Sequence, residues 1–394
     1  MKNYKFIKDK HENSIYVDNV FAIINLSKND ESKEKINATI GSLYDEEGKI
    51  YTYKTVFDVE NNMDNKIKAS YCGGPQGNDD FLRDISKFVL ENRITNNYGV
   101  ISTPGGTGGL SLSLELTANE NDTILYPEIS WGNYKNIANG NNLNIVNYDL
   151  YSLEDLLNKI DYVDGRIILI INSPCENPTG HSYCLKDWET IINKLNSLDK
   201  EVVLINDLAY LDYANENAKE YFKLFNSISD NVLVLMAYSC SKSFSFYGER
   251  LGALIAINNN KEFIDFFINQ CTKKARALWS NVNNGAMKTV SEVLENHYEE
   301  YTKELQANVD LIKERSNMLL EELDKQKIEY YPYTEGFFVT IKVKDNVKRD
   351  EMHKMLIDKH LYTIKVNKGI RISVCSIAKK DIKRAIEIVK SVYC

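Results

Sequence analysis

Lys242 stands in the segment Tyr238-Ser239-Cys240-Ser241-Lys242-Ser243-Phe244-Ser245-Phe246-Tyr247-Gly248-Glu249-Arg250, directly after the apolar run Val232-Leu233-Val234-Leu235-Met236-Ala237. A lysine at the end of a buried strand sits in poor solvent for an ammonium ion, so its pKa falls and its amine becomes a nucleophile toward carbonyl groups. Serines beside it and the guanidinium of Arg250 eight residues later are neutral donors plus a fixed cation, the set that a phosphate group requires. A reactive amine next to a phosphate cradle points to pyridoxal phosphate held as a Schiff base.

Other segments carry chemistry of their own. Thr103-Pro104-Gly105-Gly106-Thr107-Gly108-Gly109 lies between a short strand ending at Ser102 and the helical Leu110-Ser111-Leu112-Ser113-Leu114. Strand, glycine turn and helix N-terminus together make an anion site, because unpaired N–H groups and the helix dipole converge there. No Lys-Ser/Thr pair follows the last glycine and no G-x-G-x-x-G is present, so neither a P-loop nor a dinucleotide fingerprint is read. Asn177-Pro178-Thr179-Gly180, Asp207-Leu208-Ala209-Tyr210 and Trp131 each follow an apolar run. Tyr71-Cys72-Gly73-Gly74-Pro75-Gln76-Gly77 is a glycine-rich loop, and Gly41 follows a short strand beginning at Ile36.

The elements that must position these residues alternate. Apolar runs at 122–127, 144–148, 166–171, 202–206, 232–237 and 251–257 are separated by amphipathic helices, one capped by Ser152 and another presenting Trp188, Ile191, Ile192 and Leu195 on one face. Continuous apolar strands between helices predict an α/β fold with a mainly parallel sheet covered on both sides. Gly106, Thr107, Trp131, Asn177, Asp207, Tyr210 and Lys242 all fall after the C-terminal ends of those strands, where open α/β sheets bind ligands. Residues 260–330 read as long helices and 331–394 as a small α/β unit; residues 1–35 read as a polar, broken arm.

The bulk composition excludes several classes. With 394 residues, two domains are the natural expectation. A net charge of −8 and the lack of a long basic block argue against nucleic acid or an anionic membrane as partner. No apolar run approaches the ~18 residues of a membrane span and no apolar signal core is evident, so a cytoplasmic location is expected. Seven scattered cysteines without a C-x-x-C pair read as reduced thiols, and five histidines without a cluster give no metal site.

From Asn37 to Arg371 the order and spacing resemble the aspartate/aromatic branch of class I aminotransferases, pyridoxal-phosphate enzymes of fold type I. The resemblance is most specific at Ser-x-Ser-Lys-x(7)-Arg over 239–250, Asn-Pro-Thr-Gly over 177–180 and Asp-x-Ala-Tyr over 207–210. It implies a large domain with a mainly parallel seven-stranded sheet over 51–300. A smaller α/β domain would be built from both chain ends, 1–50 with the arm and 301–394. It also implies a homodimer with active sites shared between subunits. Lys242 would be the Schiff-base lysine and the proton-shuttling base, Asp207 the partner of the pyridine nitrogen, and Tyr210 and Asn177 the partners of the ring hydroxyl oxygen. Trp131 would stack on the ring; Gly106, Thr107, Ser239, Ser241 and Arg250 would hold the phosphate, with Tyr71 reaching the neighbouring subunit's phosphate. Arg371 would clamp the substrate carboxylate, Gly41 would make a backbone contact to the substrate, Trp131 and Asn177 would also bind it, and Arg276 would recognise a second carboxylate across the dimer.

Four positions depart from the family pattern. Gly105 stands where a serine is common, so one phosphate donor is missing; Tyr134 stands where a histidine is common, which removes a distal pocket group; Val282 and Asn283 replace the prolines that usually follow Ser280-Asn281. The expected activity is transfer of the amino group of aspartate, an aromatic amino acid or both to a 2-oxo acid such as 2-oxoglutarate, by a ping-pong route. A C–S β-lyase or decarboxylase on the same fold is the alternative, distinguished by its products. A cofactor-sensing regulator and a nucleotide-binding Rossmann protein are disfavoured, the first for want of room for a DNA-binding domain and the second for want of the glycine fingerprint.

Overall fold

The computed structural model describes residues 18–393. In chain order its strands are β1 (Ile36–Asn37), β2 (Tyr98–Thr103), β3 (Thr123–Pro127), β4 (Asn144–Tyr148), β5 (Ile167–Asn172), β6 (Val202–Leu208), β7 (Val232–Ser239), β8 (Gly252–Ile257), β9 (Phe338–Lys342), β10 (Leu361–Tyr362), β11 (Ile364–Val366) and β12 (Gly369–Ser373). Seven of them form one sheet in the order β2-β8-β7-β6-β5-β3-β4. Its pairings are parallel from β7 through β4, and β8 runs antiparallel to both neighbours, β2 and β7.

Strand residues alternate between two apolar layers because successive side chains leave a strand on opposite faces. Leu169, Ile171, Leu204, Val234 and Met236 join Trp188, Phe222 and Phe225 on one side. Ile168, Ile170, Ile205, Leu235 and Ala237 meet Leu110 and Leu114 of the helix Gly105–Thr117, and Ile264 and Phe267 of the helix Lys261–Leu278, on the other. With both faces covered, β5, β6, β7 and β8 are buried along their whole length, which is why they read as unbroken apolar runs.

A second body is built on the antiparallel order β11-β12-β9. Val339, Ile341, Ile370 and Ile372 pack there against Leu319 and Leu323 of the long helix Tyr298–Lys325 and Ile382, Ile386 and Val389 of the helix Lys379–Lys390. Ile36 and Ala38 belong to the same core, and β1 pairs in parallel with β10, so the two chain ends are sewn together.

Two sequence expectations change here. The arm expected over 1–35 lies outside the described residues up to 17, but Asn19–Asn29 is a helix whose N-cap Asp18 accepts from Val20 and Phe21 N–H at 2.9 and 3.0 Å. Phe21 and Leu26 are exposed on it, so its apolar residues do not mark a face turned to this protomer's own core. The strand expected from Ile36 stops at Asn37, because the Asn37 Oδ1 accepts from Thr39 N at 3.1 Å and Thr39 Oγ1 at 2.6 Å and turns the backbone away.

Candidate active site

Gly106, Thr107, Trp131, Asn177, Asp207, Tyr210, Ser239, Ser241, Lys242 and Arg250 line one pocket at the C-terminal ends of the sheet. One wall is the N-terminus of the helix Gly105–Thr117, whose first N–H groups have no carbonyl ahead of them. Facing it, Ser239 caps the short helix Cys240–Ser243 with its Oγ 3.3 Å from Ser241 N, and Arg250 Nη1 donates to Ser241 Oγ at 2.9 Å. Free N–H groups, two buried hydroxyls and a guanidinium therefore converge, and their charge balance favours a dianion.

Gly105 explains its own departure from the family pattern. Its φ is +71°, and a Cβ there would lie 2.5 Å from Arg250 Nη2. The left-handed φ favours glycine, and a side chain there would also have to displace the end of the guanidinium. Gly252 approaches as closely from the other side, with a virtual Cβ 2.4 Å from the Tyr238 carbonyl oxygen and 2.8 Å from Gly105 C.

At the opposite end of the pocket Asp207, on β6, is buried. Its Oδ1 accepts from Ala209 N at 3.0 Å and its Oδ2 from the Tyr134 hydroxyl at 2.7 Å. Burial pushes its carboxyl pKa up, while those two donors and the nearby Lys242 pull it down. Lys242 lies over the Tyr210 ring, 5.2 Å from the centroid, and its ammonium is depressed to about 8, first by burial, then with Arg250 lowering and Asp207 opposing. An amine of that pKa keeps a far larger neutral fraction near physiological pH than an ordinary lysine, and that fraction is available for nucleophilic and base chemistry.

Arg371, on β12 in the second body, stands beside the pocket, bonded to its lining residue Asn177. It is buried, its Nη1 donates to Asn177 Oδ1 at 3.0 Å and its Nη2 to the Thr39 carbonyl at 2.6 Å, and its guanidinium carbon lies 4.2 Å from the Phe338 ring centroid. Its Nε is buried without a protein partner. Asn177 Nδ2 in turn donates to the Tyr210 hydroxyl at 3.3 Å. Gly41 sits at this lip, where a Cβ would meet Phe338 Cζ at 3.0 Å and the Tyr210 hydroxyl at 3.7 Å.

Two predicted residues lie elsewhere. Tyr71 is 88% exposed. Arg276, in the last turn of the helix Lys261–Leu278, is exposed and donates to Ser280 Oγ.

Tyr134, which stands where a histidine is common, is fully buried, hydrogen-bonded to Asp207 and wedged edge-on against Trp131 with centroids 5.5 Å apart. Its place three residues after Trp131, on the helix Asn133–Gly140, is one turn away, a spacing that could have revealed the pairing. Asn172 was also missed. It donates to the Asp207 carbonyl at 2.9 Å and accepts from Asn177 N at 2.9 Å, tying two site residues together. Glu176 is buried with Thr179 N and Oγ1 on one oxygen at 2.9 and 2.6 Å, and its carboxyl is pushed up to about 8 by burial. Among the described residues no group of His, Cys, Asp and Glu is arranged to hold a metal ion.

A mainly parallel sheet with a lysine, a carboxylate and a phosphate-type cradle at its strand ends, and an arginine brought in from a second body, defines an enzyme of amino-group chemistry. The chain belongs to the aminotransferase class I and II family, whose model matches residues 33–389. It is 26% identical over 295 residues to an aspartate aminotransferase of Escherichia coli K12, covering 71% of this chain and 73% of that enzyme. A crystal structure of an aminotransferase from Anaerococcus prevotii DSM 20548 superposes with a TM-score of 0.94 at 27% identity, over 98% of this chain and 99% of the other. An aromatic-amino-acid aminotransferase from Burkholderia pseudomallei, covalently bound to pyridoxal phosphate, shares the fold with a TM-score of 0.81 at 21% identity over 98% and 100% of the chains.

Proposed function

We propose that this aminotransferase moves the amino group of aspartate, an aromatic amino acid or both to 2-oxoglutarate or a similar 2-oxo acid, with pyridoxal 5'-phosphate as cofactor. The observation that carries the reading is that Lys242 and Asp207 line one pocket from separate elements while Arg371, on a third, is hydrogen-bonded to the pocket residue Asn177. The residues fit the cofactor: a cradle of N–H groups, hydroxyls and Arg250 stands at one end, a carboxylate at the other, and a depressed lysine between them. When bound, the cofactor supplies an aldehyde for the amine and a ring that draws off the electron pair left by a departing Cα proton.

Lys242 would hold the cofactor through its amine and would serve as the base that moves the Cα proton. Asp207 would present negative charge to the ring nitrogen, Tyr210 and Asn177 would serve the ring hydroxyl oxygen, and Trp131 would cover the ring. Gly106, Thr107, Ser239, Ser241 and Arg250 would hold the phosphate. Arg371 binds the substrate α-carboxylate with a planar fork, and its unpartnered Nε leaves a donor for it. Gly41 keeps the lip narrow.

The functional unit is a homodimer. Tyr71, Phe266, Leu278 and Arg276 are exposed on the protomer, and apolar side chains of that size are commonly covered by a partner. Tyr71 then reaches the neighbour's phosphate and Arg276 the neighbour's distal substrate carboxylate. The protein works in the cytoplasm: its described cysteines are all free, and no described helix is long and apolar enough to cross a membrane.

The test is a screen of the twenty amino acids, one at a time without acceptor, by loss of the bound-aldehyde absorbance, repeated on Arg276→Ala. Aspartate or aromatic donors should bleach it, and Arg276→Ala should weaken the dicarboxylic donors alone. Ammonia with pyruvate, or carbon dioxide, as the main product would replace transfer by elimination or decarboxylation. Undiminished dicarboxylic donors in Arg276→Ala would remove its assigned role.

A further inference from the structure

Tyr134 is one of the departures from the family pattern, and its hydroxyl meets Asp207 Oδ2 at 2.7 Å with both side chains buried. We propose that Tyr134 is a positioning residue that holds Asp207 ionised and oriented toward the ring nitrogen of pyridoxal phosphate. The inference rests on the reading of Asp207 as that nitrogen's partner.

A carboxylate stripped of water is stable as an anion only if donors replace the water. Asp207 has two: the Ala209 N–H on Oδ1, fixed by the backbone, and the Tyr134 hydroxyl on Oδ2. The other titratable groups whose charge reaches Asp207 are Lys242, Glu176 and Tyr210. Of these, Lys242 is committed to its own chemistry when its amine is engaged, and Glu176 and Tyr210, both held protonated by burial, offer Asp207 no positive charge. Tyr134 is therefore the side-chain donor that remains when Lys242 is engaged. Burial and the adjacent Asp207 push the Tyr134 hydroxyl well above its ordinary range, so it stays a neutral donor. Trp131 and Tyr126 pack edge-on or tilted against its ring at 5.5 and 5.9 Å, which fixes the direction of the O–H.

Without that hydroxyl, the proton shared along the ring nitrogen–carboxylate axis moves onto Asp207, because a neutral acid tolerates burial better than an anion with one donor. The ring nitrogen is left unprotonated.

The experiment uses holoenzyme reconstituted with pyridoxal phosphate labelled with nitrogen-15 in the ring, comparing wild type, Tyr134→Phe and Asp207→Asn by NMR. Wild type is expected at the protonated-pyridine position, with Tyr134→Phe displaced toward the neutral one. The dissociation constant for pyridoxal phosphate should rise about tenfold in Tyr134→Phe, while that for the 1-deaza analogue, which offers Asp207 no nitrogen, changes less. If Tyr134→Phe does not fold, Tyr134→Met also lacks the donor, fills the space more adaptably, and carries the same expectation. A wild-type resonance position in a folded donor-free variant overturns the role of Tyr134 alone. A neutral-pyridine position in wild type itself, or no displacement in Asp207→Asn, overturns the reading of Asp207 and the role of Tyr134 with it.

Discussion

Lys242 shows how little sequence is needed to set a reactive group and how much surrounding structure tunes it. Its low ammonium pKa, about 8, comes mainly from burial at the end of β7, with Asp207 pulling the other way. The rate at which apoenzyme recombines with pyridoxal phosphate should therefore climb with pH and level off above about 8, where the amine is neutral; a profile flat from pH 6 to 9 would contradict this. Lys242→Ala should lose activity by about 10³-fold or more, and after borohydride treatment its mass should show no attached cofactor. Glu176 gives a stability prediction of opposite character. Its unfolded carboxyl titrates near 4.5 and its folded one near 8, so the native state binds the extra proton between those values and this group's contribution to stability falls as pH rises through that window. Glu176→Gln, which keeps an acceptor for Thr179, should remove that slope, gaining on wild type by about 1 kcal/mol per pH unit across the middle of the range, read from urea midpoints at pH 5 to 8. The residue types of the site were legible in sequence because strand ends collect them. The Tyr134–Asp207 bond was not, since nothing in a chain of letters says that a side chain 73 residues away turns inward rather than toward substrate.

Among elements, the loop Cys175–Gly180 joins the two bodies. Gly180 has φ +73°, its carbonyl accepts from Thr334 and Glu335 N–H at 2.9 and 3.0 Å, and an added Cβ would lie 2.3 Å from the Tyr333 ring and 2.8 Å from the Glu335 carbonyl oxygen. Gly180→Ala must both strain the backbone and push the 333–335 segment away, and should cost about 2–4 kcal/mol. Because Asn177 and its bond to Arg371 sit on the same loop, KM should rise along with the loss in denaturant midpoint; a variant with wild-type stability would show that the seam yields freely. The sheet was readable as a set of elements, since strands buried on both faces leave unbroken apolar runs. The antiparallel course of β8 was not, because an apolar run has no direction. The shortening at β1 escaped for a different reason: one Asn37 side chain outcompetes the ladder.

At the scale of the whole molecule, two site residues assigned to a partner make complementation the sharpest prediction. Lys242→Ala and Arg276→Ala homodimers should both be poor with dicarboxylic donors, and refolding them together should restore about a quarter of the sites, since half the dimers are mixed and each of those has one intact site. No recovery, or a monomer in sedimentation, would exclude shared sites. The place of β8 in the sheet has a further consequence for synthesis. Among the described residues the edge strand β2 pairs with no strand but β8, and β8 also lines up with β7, so the sheet cannot close on that side until residue 257 is available. The same closure brings Gly105 against Gly252 and Arg250, the two halves of the anion cradle. A nascent chain that has exposed β2 through β7 but not β8 carries Lys242 with no cradle opposite it. Capture of the cofactor is thereby postponed until the large sheet is complete, and a ribosome stalled before β8 emerges should hold a chain that leaves pyridoxal phosphate unbound.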